Sequence, residues 1–349
     1  MNAEFLGALE DLEREKGIEK EVLLEAIESA LISAYRRNFG SAQNVSVRID
    51  REDGEPHVYA QKEVVAGEVT DHLLQISLEE ARAIAPGALE GDIVELEVTP
   101  KSFGRIAAQT AKQVIVQRIR EAERGIIFEE FSGREGDIVS GLVHRTEHRV
   151  VYLDVGRAEA VMMPNEQVPG EVLRPGERVR AYVTEVKKTT KGPQIYVSRS
   201  HPGLIKRLFE LEVPEIHDGV VEIKAIAREA GSRTKVAVWA ANPDVDPVGA
   251  CIGPKKARVQ AIVQEIRGEK LDIVRWDPDP AVLVANALSP AQTVGVTLDP
   301  ILRLARVVVP DNQLSLAIGK EGQNARLAAR LTGWKVDIRS ESQVEDGEW

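Results

Sequence analysis

Apolar residues recur at helical spacing in EKEVLLEAIESALISAYRRNFG, where Leu23, Ile27, Ala30 and Ala34 fall on one face and Gly40 supplies a stop. The stretches VSVRID and HVYAQKEVV then alternate or cluster apolar residues as strands do. A second periodic run, FGRIAAQTAKQVIVQRIREAER with the Gly125-Ile126 that follows it, sets Ala107, Ala111, Ile115, Ile119, Ala122 and Ile126 three or four apart. That is the stripe of a long amphipathic helix, able to cap its own domain and lead to the next. Residues 1–130 therefore read as an α+β module.

The texture changes from Arg134 to about Ser200, where DIVSGLV, RVVYLDV, AEAVMM, ERVRAYVTEV and QIYVS read as short strands. Pro-Gly steps, Gly156 and the Gly192-Pro193 pair mark their connections. About five strands without intervening helices fit a small closed barrel of the OB type over residues 134–200. Such barrels bind single-stranded nucleic acid through aromatic platforms and basic grooves. Tyr152, Tyr182 and Tyr196 are the aromatics available within this one, and tyrosines on strands also serve as ordinary packing residues. His144 and His148 have no Cys or acidic cluster at metal-site spacing and read as surface strand residues.

Residues 201–340 carry an internal repeat. Ile252-Gly253 aligns with Ile318-Gly319, and GEKLDI (268–273) aligns with GWKVDI (333–338), an offset of 65 to 66 residues. A helical run lies between these anchors in both copies, and a β-branched strand, TKVAVW or LARVVV, lies before them. Each copy opens with a further candidate helix and strand, so the order helix, strand, strand, helix, turn, helix, strand is written twice. Two small α/β domains follow, residues 201–276 and 277–345.

Composition changes this picture in one respect. The formal charge of -11 argues against a nucleic-acid partner until it is divided. Residues 1–130 hold 15 Lys/Arg against 26 Asp/Glu, whereas the remainder holds 30 of each sign. An acidic module is thus joined to a balanced one, with a local basic excess around the second glycine pair. The 349 residues are enough for two to four domains. MNAEFLGALEDLEREKG lacks the charged and apolar pattern of a secretory signal, no apolar run approaches the roughly 20 residues that span a bilayer, and Cys251 is alone. A reducing, cytoplasmic setting without a membrane partner is the expectation.

The repeat order with Gly-x-x-Gly between its two later helices resembles the bacterial type of KH domain. Glycines bring backbone amides against a phosphate-sugar backbone at a helix N-terminus, whose partial positive charge favours the anion. A KH loop of this kind holds about four nucleotides, with bases on an apolar groove beside it. Tight helix-helix turns also contain Gly-x-x-Gly without binding anything, so packing remains the alternative. The candidate RNA contacts in the second copy are Gly319, Lys320, Gly322, Gln323, Asn324 and Arg326, and Glu321 is expected to face solvent. In the first copy they are Gly253, Lys255, Lys256 and Arg258, where GPKK replaces the second glycine. Lys256 would cost roughly 1–2 kcal/mol if that position is left-handed, while three cations become available to phosphates; a solvated basic turn is the alternative there. Cys251 and Trp334 read as packing residues.

The whole combination is more specific: an acidic α+β module, an OB-type barrel and two KH domains in tandem. With FGRIAAQTAKQVIVQRIREAE, EQVPGE, SRSHPGLIKRLFELEVPEI, VEIKAIAREAGSRTKVAV, DPVGACIGPKK, ANALSPA and RVVVPDNQLSLAIGKEGQNARLAARLTGW, it resembles the NusA family of bacterial transcription elongation, termination and antitermination factors. The resemblance implies an S1-type barrel, an N-terminal module that docks on RNA polymerase, and a barrel-KH surface for nascent single-stranded RNA. It implies roles in pausing, intrinsic termination and, with other antitermination factors, antitermination; a monomer is expected. Some members append acidic repeat domains; the sequence here ends at ESQVEDGEW, and functions resting on that extension are not expected.

No phosphate loop, His-Glu-x-x-His or nucleophile motif appears, so no catalytic residue, cofactor or metal is assigned. An RNA-processing enzyme of the exoribonuclease type, which also carries a KH domain and an S1-type barrel, is the principal competing reading. In such enzymes the KH precedes the barrel and both follow a large catalytic core, for which residues 1–130 are too few. A ribosome-associated RNA chaperone is a third.

Overall fold

The computed structural model describes residues 3–40 and 44–345, which fall into two compact units, Met1–Ile126 and Ile127–Trp349. In the first, α1 (Ala3–Lys16), α2 (Lys20–Phe39) and the start of α4 (Phe103–Ser132) surround one face of a sheet. That sheet is made of β1 (Val45–Ile49), β2 (Pro56–Val65), β3 (Gln75–Ser77) and β4 (Ile93–Glu97), with α3 (Leu78–Ile84) between the last two strands. Gly40 ends α2 as expected, its N–H bonded to the Arg36 carbonyl. The buried face of α2 differs by one step from the periodic reading. Leu31 is fully buried and Ala30 only half-buried, because the larger side chain fills the space between α2 and the sheet. Along α4 burial fades within this unit: Phe103, Ala107 and Ala111 are buried, whereas Ile126 is half exposed.

In the second unit β5 (Ile138–Glu147), β6 (Val150–Asp154), β7 (Glu159–Met162), β8 (Arg178–Thr189) and β9 (Gly192–Ser198) close into a barrel in the order β5-β6-β7-β9-β8. Alternation puts Val139, Val143, Leu153, Ala160, Met162 and Val197 inside, while Phe131, near the end of α4, plugs the same core.

Two three-stranded domains follow. The first contains α5 (Pro202–Glu212), the short α6 (Pro214–His217), β10 (Val221–Glu229), β11 (Arg233–Ala240), α7 (Pro247–Ile252), α8 (Ala257–Glu265) and β12 (Lys270–Arg275). The second contains α9 (Pro280–Ala287), β13 (Gly295–Asp299), β14 (Leu304–Val309), α10 (Leu314–Ile318), α11 (Gln323–Thr332) and β15 (Lys335–Ser340), and α12 (Glu341–Glu345) comes last. In both, an antiparallel hairpin takes its third strand in parallel. The fold class is the expected α+β arrangement, and the predicted helix-strand order is found twice.

The two repeats share a core. Val236 and Val238 turn to one face of the first sheet, toward α5 and α8. Ala227, Ala237 and Val274 turn to the other, where Val284, Ala287 and Leu288 of α9 and its end, with Leu327, Ala328 and Leu331 of α11, cover them. Lys235 is fully buried there, its Nζ 3.0 Å from Asp272 and 2.8 Å from the Ser289 carbonyl. Burial pushes the Lys235 ammonium down. Burial also opposes charge on Asp272, but its bonds to Arg233 and Lys235 hold it below the usual carboxylate range.

Candidate nucleic-acid interface

Two short turns, Gly253 to Lys256 and Gly319 to Gly322, join α7 to α8 and α10 to α11 along nearly identical backbone paths. The first runs through φ 72° at Gly253, 50° at Lys255 and 65° at Lys256; the second through 77° at Gly319, 54° at Glu321 and 73° at Gly322. In both, the fourth residue's N–H bonds the first residue's carbonyl at 3.1 Å. The missing glycine in the first copy has therefore not changed the turn: Lys256 is left-handed, as the alignment with Gly322 requires.

The first glycine of each turn is needed for space as well as for φ. A Cβ on Gly253 would lie 2.6 Å from Arg258 Cγ, and one on Gly319 would lie 2.9 Å from the Asn324 nitrogen. At Gly322 nothing lies within 4 Å, which is why lysine fits at the same place in the first copy.

The candidate residues separate into two groups. Gly253, Gly319 and Gly322 shape the turns, and Lys255, Lys256 and Lys320 are exposed cations with no ion pair among the described residues. The other four side chains are bonded within the protein. Arg258 lays its stem over Gly253 and donates to the Ala250 carbonyl at 2.7 Å and to Glu215 at 2.8 Å. Asn324, at the equivalent repeat position, is 2 % exposed and donates to the carbonyls of Ala317 and Leu288 at 2.9 and 3.0 Å. Both satisfy carbonyls left open at the end of the preceding helix. Gln323 bonds Glu229 and Ser232, and Arg326 bonds Glu229 through Nε at 2.6 Å and the Glu321 carbonyl through Nη1 at 3.3 Å. The bonds to Glu229 and Ser232 cross between repeats, and sequence spacing alone gives no sign of them. Glu321 itself is exposed.

Beside the first turn's domain, the free edge of β12 and the end of α9 enclose an open groove of about 510 Å³. Ile273 and Val274 give it apolar walls; Asn286, Ser289, Gln292 and Thr293 add donors and acceptors. A cluster not singled out from sequence lies on the same domain: Lys224 Nζ is 4.4 Å from the centre of Trp239 and 5.6 Å from that of Trp276. The signal was present, since two of the four tryptophans follow β-branched strands there.

On the barrel the tyrosines separate as well. Tyr182 stacks on His201 at 4.6 Å and is packed with the α5 core, so it is no free platform. Tyr152 and Tyr196 are half-buried on the outer face. Register carries Arg145, Tyr152, Val161, Tyr196 and Glu185 across five strands in one row. Arg145 lies 3.9 Å above Tyr152, Lys187 lies 5.2 Å from Tyr196, and Glu159 binds both Arg145 and His144. Such a row of aromatics under cations suits stacked bases and phosphates.

Other residues have structural surroundings. Cys251 is fully buried, and burial pushes its thiol up to about 12. Trp334 packs half-buried against the second repeat's core. Among the described residues no group of three or more His, Cys, Asp or Glu could hold a metal ion, and no helix is long and apolar enough to cross a membrane.

Comparison with known proteins covers nearly the whole chain. Residues 4–125 match the family described as the NusA N-terminal domain and residues 133–198 the S1 RNA binding domain. Residues 199–276 and 280–346 match the NusA-like first and second KH domains. The transcription termination/antitermination protein NusA of Halalkalibacterium halodurans is 61% identical over 346 residues, covering 99% of this chain and 90% of that protein. The protein of the same name from Bacillus subtilis is 60% identical, covering 99% and 93%. That of Thermus thermophilus is 42% identical, covering 99% and 92%.

Proposed function

The chain belongs to the NusA family of transcription termination/antitermination proteins, and on that premise we propose that it is a cytoplasmic, monomeric and non-enzymatic elongation factor that holds nascent RNA while bound to RNA polymerase. Residues 1–130 dock on the polymerase, residues 134–200 form the S1-type barrel, and residues 201–276 and 277–345 form the two KH domains. RNA held on the barrel row and the two turns alters pausing, intrinsic termination and, with other antitermination factors, antitermination.

The observation that carries this reading is the pair of superimposable turns. Two equivalent sets of backbone amides, each at a helix start and each beside exposed lysine, lie in a single compact unit and suit phosphate. The first turn works mainly through Lys255 and Lys256, the second through glycine geometry and Lys320. RNA binding by wild type, Gly319→Asp and Lys256→Glu over a salt series tests it. Both variants should bind more weakly, and Lys256→Glu should also flatten the salt dependence; binding unchanged in both would reject the paired turns. Labelled RNA incubated with protein, phosphate and magnesium should stay intact, and shortening would favour a ribonuclease instead.

A further inference from the structure

Glu229 ends β10 in the first repeat, 97 residues before Arg326. Its Oε1 accepts Arg326 Nε at 2.6 Å, its Oε2 accepts Gln323 Nε2 at 2.9 Å, and Arg330 Nη1 lies 3.7 Å away. The hydrogen bond from Arg326 first, then that from Gln323 and the charge of Arg330, hold its carboxyl below the usual range. One carboxylate thus gathers three side chains along α11, the helix that begins immediately after the second glycine turn. Ser232, in the same hairpin, accepts from Gln323 at 2.7 Å.

The internal repeat shows that this is not the default use of the position. In the hairpin register Glu229 pairs with Arg233, and Asp299 pairs with Leu304 at the corresponding place in the second repeat. Asp299 caps its own turn, accepting from the N–H groups of Ile301 and Leu302 at 3.0 and 3.1 Å. In the first hairpin the turn nitrogen of Gly231 is taken by Glu269 instead, at 2.8 Å. Glu229 is thereby released from local duty and reaches into the next domain.

We infer that Glu229 is a positioning residue for RNA binding: it fixes the second glycine turn relative to the first, so that one RNA strand engages both. The inference rests on the RNA-binding reading above. Arg326 is then a strut rather than a phosphate ligand. It joins Glu229 on one side to the Glu321 carbonyl, inside the turn, on the other. The closed shape of the turn does not depend on Glu229, because Asn324 and the Arg326–Glu321 bond remain without it. What Glu229 adds to the shared core is a fixed placement of the start of α11 and its turn against the first repeat, and linked sites gain affinity only when geometry allows both to be engaged at once.

The experiment compares wild type, Glu229→Gln, the charge-swapped double variant Glu229→Arg/Arg326→Glu and Gly319→Asp in the full chain. The probes are single-stranded RNAs of about four nucleotides, the span of one turn, and about twenty nucleotides. Glu229→Gln should lower affinity for the long RNA about tenfold, leave the short RNA within about twofold, and make the salt slope for the long RNA alone shallower, since the phosphates at one turn are released. The double variant re-forms the ion pair between 229 and 326 but gives up the donations from Gln323 and to the Glu321 carbonyl, so it should recover part of the loss, which a general weakening of the fold would not allow. Unchanged or stronger long-RNA binding by Glu229→Gln would overturn the inference, and so would a slope steeper by about one, the mark of an Arg326 cation unmasked for phosphate. Gly319→Asp separates the two levels: if it leaves both RNAs bound as before, the turn reading itself fails, whatever Glu229 does.

Discussion

Lys256, at φ 65° and ψ 18°, occupies a conformation that costs an L side chain roughly 1–2 kcal/mol relative to glycine. Its ammonium is exposed beside a turn of the kind that holds phosphate. Stability and binding should therefore move in opposite directions in Lys256→Gly. The strain is relieved, offset by the greater entropy of glycine in the unfolded chain, for a net gain of about 0.5–1 kcal/mol. RNA affinity should fall, with a salt slope smaller by about one; thermal melting and a salt titration read the two effects. The glycines of the second turn should differ from each other in the same spirit. Gly322→Ala adds only the left-handed strain, about 1 kcal/mol, because space is open there. Gly319→Ala adds a collision with the Asn324 backbone, so its melting temperature should drop further and its RNA binding with it. Cys251 gives a control on the fold: with its thiol pushed up to about 12 by burial, alkylation at neutral pH should be slow in the native protein and fast in denaturant. Fast labelling of the folded chain would contradict the packing of α7.

Between elements, the barrel is tied to the first repeat by a buried guanidinium. Arg199 is 1 % exposed and bonds Glu171 through Nε at 2.8 Å, the Arg180 carbonyl at 2.6 Å and the Glu265 carbonyl at 2.9 Å. Arg199→Ala would leave the buried Glu171 carboxylate facing only Arg267, at 3.6 Å, and should cost roughly 3–5 kcal/mol in chemical denaturation. Nothing in the spacing of SRSHPG announces this arginine as interior. The same limit explains the mixed outcome at the candidate RNA site. The turns were legible because glycine pairs and helical runs are local signals, and the repeat doubled them. Asn324, Arg258, Gln323 and Arg326 read as RNA contacts because they are polar and follow the glycines, but their bonds inside the protein are not legible there. Their partners, Leu288, Glu215, Ser232 and Glu229, lie 36 to 97 residues away and are fixed only by how sheets and helices stack. The barrel row was hidden for a related reason: Tyr152 and Tyr196 become neighbours across β7 only once the barrel closes.

For the molecule as a whole, the division of charge leads to a prediction about its partners. Between β2 and β4 the first unit exposes Glu63, Glu68, Asp71, Glu79, Glu80, Glu90 and Asp92, a field that repels a phosphate backbone. The same stretch leaves Leu73, Leu74, Ile84, Leu89 and Ile93 between 41% and 68% exposed, around a satellite core built on Val64, Ile76, Ala81, Ala88 and Val94. Ile93 pairs with Glu63, whose N–H is bonded to the Leu74 carbonyl, so apolar and acidic residues neighbour one another at this end of the sheet. Exposed apolar side chains set among carboxylates fit a protein surface with basic and apolar character, not RNA. The prediction assigns this edge to the polymerase contact. Ile93→Asp and Leu89→Asp remove apolar surface that is already in water, so the isolated fold should lose less than about 0.5 kcal/mol. Capture of RNA polymerase by residues 1–130 should nevertheless weaken markedly at moderate salt, while the full chain binds single-stranded RNA with unchanged affinity. If RNA affinity falls with polymerase capture intact, the assignment of partners to the two units is reversed.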